Sequence, residues 1–251
     1  MRERQIITER REDVAVVKLN RPSQANALSR DLVAELREEF NLMEWDDSVS
    51  VIVLTGCGEK AFCAGIDLKE RAALSKEENL LDRRKNVFPF FEKMGEYPKP
   101  IIGLINGPAI GGGAELALIC DIRIASPNAR FCQGEIRWGM IPSCGAIQRL
   151  RLIAGMGVAK ELILTGRTIE AEEALRLGIY NKVVKKEELM DEGLRLAVEI
   201  SKFSPITVKQ AKRALEIGAD IHSALAFDFE ASKECFYLGT ALKEPERFKK
   251  K

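Results

Sequence analysis

An α/β domain continuing into a helical C-terminal extension is predicted by three features of the sequence. Short β-branched runs alternate with helix-spaced apolar residues in the first half of the chain. From about Gly157 the pattern is almost wholly helical, with glycines at the expected helix ends. No Pro/Ser linker or low-complexity tract separates the halves. With 251 residues, 46% of them hydrophobic and 31% charged, the chain is long enough to pack one large domain.

Val14 to Leu19 and Val49 to Thr55 read as strands, the second apolar almost throughout and therefore buried on both faces. Between them Leu32, Leu36, Phe40 and Met43 recur at helical spacing. Ser29 is placed as the N-cap of that helix, with Leu28 and Val33 as its hydrophobic staple. Ile101 to Ile105 and Ile122 to Ala125 are further short strands. Helices are then expected over Val158 to Thr165, closed by Gly166, over Glu170 to Leu177, closed by Gly178, and over Glu187 to Lys202. Another starts at Pro205 and stops at Gly218, and a last one covers about Ile221 to Leu238. Their apolar faces exceed what one small core uses, which predicts oligomerisation.

Composition removes several classes of function. Lys and Arg total 39 against 38 Asp and Glu, a net charge of +1, so nucleic acid is not expected as a principal partner. The dense basic cluster Arg247-Phe248-Lys249-Lys250-Lys251 reads as a solvated terminus. Met1-Arg2-Glu3-Arg4 lacks the apolar core of a signal peptide. The longest cation-free stretch, Pro100 to Cys120, contains Asn106, Pro108, Gly111 to Gly113 and Glu115, and makes a poor membrane span. Six scattered cysteines, with no CxxC pair or Cys/His cluster, suggest neither a zinc site nor disulfides. A soluble cytoplasmic protein with reduced thiols is expected. His222, the sole histidine, lies in an ordinary helical run, so histidine-dependent nucleophilic catalysis is not indicated.

The informative stretch runs from Asn106 to Asp121, NGPAIGGGAELALICD. A strand leads into bare glycines and then into an apolar helix starting near Gly112 or Gly113. Unpaired N–H groups at such a helix start suit a developing negative charge, and glycine lets a ligand approach the backbone. The Lys and Ser/Thr of a phosphate loop are missing, as is GxGxxG spacing. Taken alone, the glycines fit a close helix–strand contact equally well. Glu115 stands one turn inside, flanked by Ala114, Leu116, Ala117 and Leu118, and a carboxylate facing the interior is an acid/base candidate. Glu135, in FCQGEIRWGMIP from Phe131 to Pro142, reads by itself as a surface or capping residue. Ala64 and Gly65, after a buried strand, mark a second turn.

Together these segments resemble the crotonase superfamily, the enoyl-CoA hydratases and isomerases. Asn20-Arg21-Pro22 and Asn26-Ala27-Leu28 come first, then Ala61 to Leu68, then Asn106 to Asp121. Ile141-Pro142 with Gln148-Arg149-Leu150 follows, then Leu164-Thr165-Gly166 and Ala174 to Gly178. The resemblance covers roughly Val14 to Leu238. It implies a ClpP-like spiral of ββα units over residues 1–195, and a helical trimerisation region over 196–251. The assembly it implies is a homotrimer or a hexamer. It also implies Glu115 and Glu135 as catalytic groups, and the N–H groups of Ile66 and Gly112 as an oxyanion hole. Ala25, Ala64, Asp67, Lys69, Gly111 and Ser143 are the substrate and CoA positions. The substrate is an acyl-CoA thioester; no metal or other cofactor is implied, and retention of both glutamates favours hydration of a 2-enoyl-CoA in fatty-acid degradation.

Some residues depart from the family pattern. Ser143-Cys144-Gly145-Ala146-Ile147 replaces a glycine-rich stretch, which puts the Ser143 side chain near the catalytic water. Arg137 and Trp138 stand where aliphatic residues are common, and the chain passes almost directly from Gly239 to Pro245-Glu246-Arg247-Phe248, where relatives carry an acidic turn that helps enclose CoA. The alternatives are enoyl-CoA isomerisation, hydration of a branched or cyclic enoyl-CoA, or, in another class, an RNA-associated or non-catalytic binding protein.

Overall fold

The computed structural model describes residues 4–216. The expected helix over Ile221 to Leu238, His222, Cys235, the Gly239 to Phe248 segment and the basic terminus lie outside the described residues.

Strands β1 (Ile6–Arg11), β2 (Val14–Leu19), β3 (Val51–Gly56), β4 (Ile101–Ile105), β6 (Ile122–Ala125) and β9 (Lys182–Val183) lie side by side in that order. β1 and β2 form an antiparallel hairpin, and every other neighbouring pair is parallel. A second sheet joins the short strands β5 (Ala109–Ile110), β7 (Arg130–Cys132) and β8 (Ile169–Glu170). The period of two along β2 and β3 divides the core. Ala15, Val17, Ile52 and Leu54 face the larger cluster, which includes helix α1 (Arg30–Glu44) through Leu32, Leu36, Phe40 and Met43. Val14, Val16, Val51 and Val53 face the other way, onto Leu189 and Ala197 of helix α8 (Leu189–Ser201). With both faces covered, β3 is buried along its whole length, as its apolar run predicted.

Ser29 caps α1, its hydroxyl accepting from the Leu32 N–H at 3.1 Å, and Leu28 and Val33 are both buried. β1 was not expected, because Glu9, Arg10 and Arg11 hide its alternation and only Ile6 of the strand is buried. β3 begins two residues later than predicted, at the point where Val51 pairs with Val14. Helix α6 (Ala146–Thr165) starts well before the expected Val158 and is broken at Gly155, whose φ of 81° is not helical. The expected stop at Gly166 and the helix ahead of Gly178 are present as α6 and α7 (Ala171–Arg176). α8 passes without interruption through positions 195 and 196, and α9 covers Pro205–Glu216.

Between β3 and β4 run α2 (Leu68–Ala72), α3 (Lys76–Asp82) and α4 (Phe88–Gly95), with a π-helical turn over Arg83–Val87 joining the last two. Pro89 offers no N–H and its ring crowds the preceding carbonyls, so the helix widens just before it. The widening is visible in the Phe88 N–H, which reaches back to the Arg83 carbonyl. Helix α5 (Gly112–Ile119) follows β5 and is buried at every residue.

Candidate active site

Two asparagine amides tie the loop after β3 to its neighbours, Asn106 from the loop after β4 and Asn26 from the loop after β2. Asn106 donates to the carbonyls of Gly56 at 2.9 Å and Gly58 at 3.0 Å, and accepts from the Gly56 N–H at 3.2 Å. Asn26, fully buried, donates to Cys57 and Ala61 at 3.0 and 2.9 Å and accepts from the Arg21 N–H at 3.0 Å. These contacts give a structural reason for the Asn20 to Leu28 and Asn106 motifs. Each amide donates to loop carbonyls, and that of Asn26 does so while fully buried.

The two loops then pair directly. Cys63 bridges Ala109, the Ile110 N–H donating to the Cys63 carbonyl at 3.0 Å, while Leu28 bridges Ile66, the Leu28 N–H donating to Gly65 at 2.7 Å. Where α5 crosses this bridge, a β-carbon on Gly113 would lie 2.0 Å from the Cys63 carbonyl oxygen. Gly113 is thus the close helix–strand contact that the glycine run allowed. Gly111 and Gly112 instead line a cleft. A β-carbon on Gly112 would sit 3.6 Å from the Ile66 nitrogen, so the two peptide N–H groups are neighbours. Neither N–H has an acceptor among the described residues. Two unpaired donors side by side, one at the start of a buried helix, form a pocket for an oxyanion.

Two carboxyl groups share that cleft. Glu115 is 4% exposed, and its Oε1 accepts from the backbone N–H groups of Ser143 at 2.9 Å and Cys144 at 2.7 Å. Burial raises its pKa; the Cys144 and Ser143 contacts and the Arg83 charge pull the other way. Glu135 opens a 3-10 turn (Glu135–Trp138) and is half-buried, not the surface or capping residue its sequence context suggested. Burial, with the charge of Glu115 added, pushes its pKa up to about 7. Gly111, with φ of 53°, lies beneath it, where a β-carbon would stand 3.3 Å from Glu135 Oε1. With its amide nitrogen turned toward Glu135, buried Gln133 donates to both carboxylate oxygens at 3.1 Å. The next peptide, Cys144–Gly145, is held by Arg149, which donates to the Cys144 carbonyl at 3.3 Å. Its guanidinium fills space that β-carbons on Gly95 and Gly145 would occupy.

The cleft is open to solvent, and the roughly 620 Å³ between its walls includes part of that opening. Ala64, Ile66, Gly111, Gly112, Glu115, Glu135 and Ser143 all line it. Ala25, Asp67 and Lys69 do not. Asp67 caps α2 and pairs with Arg21 at 3.0 Å, Lys69 is exposed, and Ala25 uses its carbonyl to hold the Ala64 N–H at 3.0 Å. Trp138 lines the cleft and Arg137 does not. Sequence reasoning missed Gln133 and Arg83. Arg83 sits in the run Asp82-Arg83-Arg84-Lys85, which reads as a solvated helix face, yet it enters the cleft and donates to Ser143 Oγ at 2.5 Å.

Other proteins share this chain's sequence pattern and fold. The sequence profile described as enoyl-CoA hydratase/isomerase matches residues 9–246. The chain belongs to the enoyl-CoA hydratase/isomerase family. It is 44% identical over 236 residues to the short-chain-enoyl-CoA hydratase of Clostridium acetobutylicum, covering 92% of this chain and 89% of that one. To the crotonyl-CoA hydratase of Syntrophomonas wolfei it is 39% identical over 237 residues, covering 92% and 89%. Among solved structures, the enoyl-CoA hydratase from Bacillus anthracis superposes with a TM-score of 0.94 at 38% identity, covering 98% of this chain and 96% of that chain. The fold is therefore the crotonase fold expected from the resemblance.

Proposed function

We infer that the chain is an enoyl-CoA hydratase, a hydro-lyase that adds water across the double bond of a 2-enoyl-CoA thioester. The observation that carries this reading is the convergence of Glu115, Glu135 and the free N–H groups of Ile66 and Gly112 on one cleft. The thioester oxygen lies between the two N–H groups, each of which stabilises the developing enolate by ~3 kcal/mol. Glu115, held by two peptide N–H groups, takes a proton from water as the water oxygen bonds to Cβ. Glu135, with a pKa near neutrality, delivers a proton to Cα. The C=C bond is replaced by C–O and C–H bonds with no change of redox state overall, and the CoA belongs to the substrate.

Loss of the conjugated enoyl-thioester absorbance with crotonyl-CoA tests this reading. Glu115→Gln and Glu135→Gln each lower the rate by orders of magnitude; full activity in either variant would sink the two-carboxylate mechanism. The same inference extends to a cytoplasmic homotrimer or hexamer, with residues 196–251 as its trimerisation region. Supporting assembly, Leu152 and Leu164 on α6 are 74% and 68% exposed, apolar surface that a subunit contact would cover. Sedimentation of the purified protein checks the state.

A further inference from the structure

Among the described residues that line the cleft, Arg83 alone carries a positive charge. Its position is built. Asp82, beside it and buried, pairs with Arg71 of α2 at 2.6 Å and with Arg30 of α1 at 3.2 Å, and accepts from Asn86 at 2.7 Å. The π-helical turn then directs Arg83 inward, where its guanidinium carbon stands 5.8 Å from the centre of the Phe88 ring and Nη2 donates to Ser143 Oγ at 2.5 Å. Arg83 makes no ion pair with a described carboxylate. Ser143 is neutral and occupies one of five guanidinium N–H donors. Leu68, Trp138, Met140 and Ile141 make the surrounding wall apolar. An unpaired guanidinium against such a wall is costly to desolvate, and a purely aliphatic acyl chain gives it nothing in return.

The order of groups along the cleft says what Arg83 meets. Under the hydratase reading, on which this inference rests, the thioester oxygen is at Ile66 and Gly112, Cα at Glu135, and Cβ at the water held by Glu115. Ser143 links the next step: its N–H donates to Glu115 at 2.9 Å, while its hydroxyl accepts from Arg83. Carbons beyond Cβ therefore run toward the Ser143 hydroxyl and the Arg83 guanidinium. We propose that Arg83, seated by Ser143, binds a carboxylate at the far end of a short acyl chain, so that the preferred substrate is an enoyl-CoA derived from a dicarboxylic acid. The planar fork of an arginine fits a carboxylate through two parallel N–H···O bonds, and the Ser143 hydroxyl retains its own proton to donate. The charge of Arg83 also pulls down the pKa of both glutamates, so its removal affects every substrate to some degree.

A matched pair of substrates separates the two effects. trans-Glutaconyl-CoA and trans-2-pentenoyl-CoA have the same number of acyl carbons and differ at the terminal group. The wild-type protein is expected to prefer glutaconyl-CoA in kcat/KM by at least about 10-fold, the worth of one charge-assisted hydrogen-bonded contact. Arg83→Met abolishes that preference whatever it does to both rates, Arg83→Lys keeps part of it, and Ser143→Ala weakens it. Equal or better turnover of pentenoyl-CoA by the wild type would overturn the proposal, as would an unchanged ratio in Arg83→Met. Calorimetric binding of glutaryl-CoA against pentanoyl-CoA measures the same preference without chemistry. Turnover of neither enoyl-CoA, with glutaryl-CoA still bound more tightly, would refute the hydratase reading and leave the carboxylate contact standing.

Discussion

The wall of the cleft that carries Gly112 and Glu115 is helix α5, buried along its length. The opposite wall, with Glu135, Trp138, Met140 and Ile141, is a succession of turns whose apolar side chains stand largely in solvent. The first wall works through backbone, setting the Gly112 N–H beside that of Ile66, and its Glu115 is fixed by the N–H groups of Ser143 and Cys144 from outside α5. The second works through side chains, and through Arg83 approaching from the helix beside it. A backbone site tolerates few sequences but serves any thioester, because every enoyl-CoA presents the same carbonyl. A wall of side chains can change with the acyl group while the chemistry stays fixed. The departures from the family pattern, Ser143, Cys144 and Trp138, fall at or beside this second wall.

The two walls should respond unequally to mutation. Glu115→Gln should lower kcat about 10³-fold with an unchanged circular dichroism spectrum, since it removes a general base held in a rigid frame. Adding one methyl group to each wall tests the frame itself. Gly113→Ala forces a β-carbon against the Cys63 carbonyl and should cost about 3 kcal/mol. In a chain of this size that lowers Tm by roughly 9 °C. Gly139→Ala has open space around it and pays only for its left-handed backbone, φ of 67°, about 1 kcal/mol. Equal Tm losses in the two variants would erase the distinction between the walls.

Acidity should divide the walls as well. A proton donor whose pKa is about 7 is charged above that pH and can no longer deliver, so kcat/KM for hydration falls as pH rises through about 7. As the proposed general base, Glu115 acts in its ionised form, which sets the fall on the acid side. Glu135→Gln should abolish the alkaline limb of the residual activity; a limb that persists in this variant assigns it to another group. The smallest effect is expected at the lip, where Trp138→Ala raises KM a few-fold and leaves kcat nearly unchanged, as loss of uniform substrate binding does.

What could be read in advance follows the same division. β2, β4 and β6 begin and end where their apolar runs predict, since apolar residues dominate each run even where Lys18 interrupts β2 and Arg123 interrupts β6. Ser29 and the start of α5 were legible from capping and glycine chemistry. β5, β8 and β9 have two residues each and exist through tertiary pairing that no local pattern carries. Glu135 drew its meaning from the resemblance alone, since its half-buried setting depends on Gly111, which belongs to another segment. Arg83 was hidden because a helix drawn at 3.6 residues per turn through Arg83, Arg84 and Lys85 is simply basic. Only the π-helical widening ahead of Pro89 separates Arg83 from its neighbours and turns it inward.

Gly111, the residue ahead of helix α5, has no side chain with which to cap it. The Gly112 N–H, an open donor of that helix, therefore has no acceptor among the described residues. Under the proposed mechanism a thioester oxygen bound there serves as the missing N-cap of this buried helix. Occupancy of the site and integrity of α5 are then coupled, and a saturating acyl-CoA should slow hydrogen exchange at Gly112 and along the first turn of the helix.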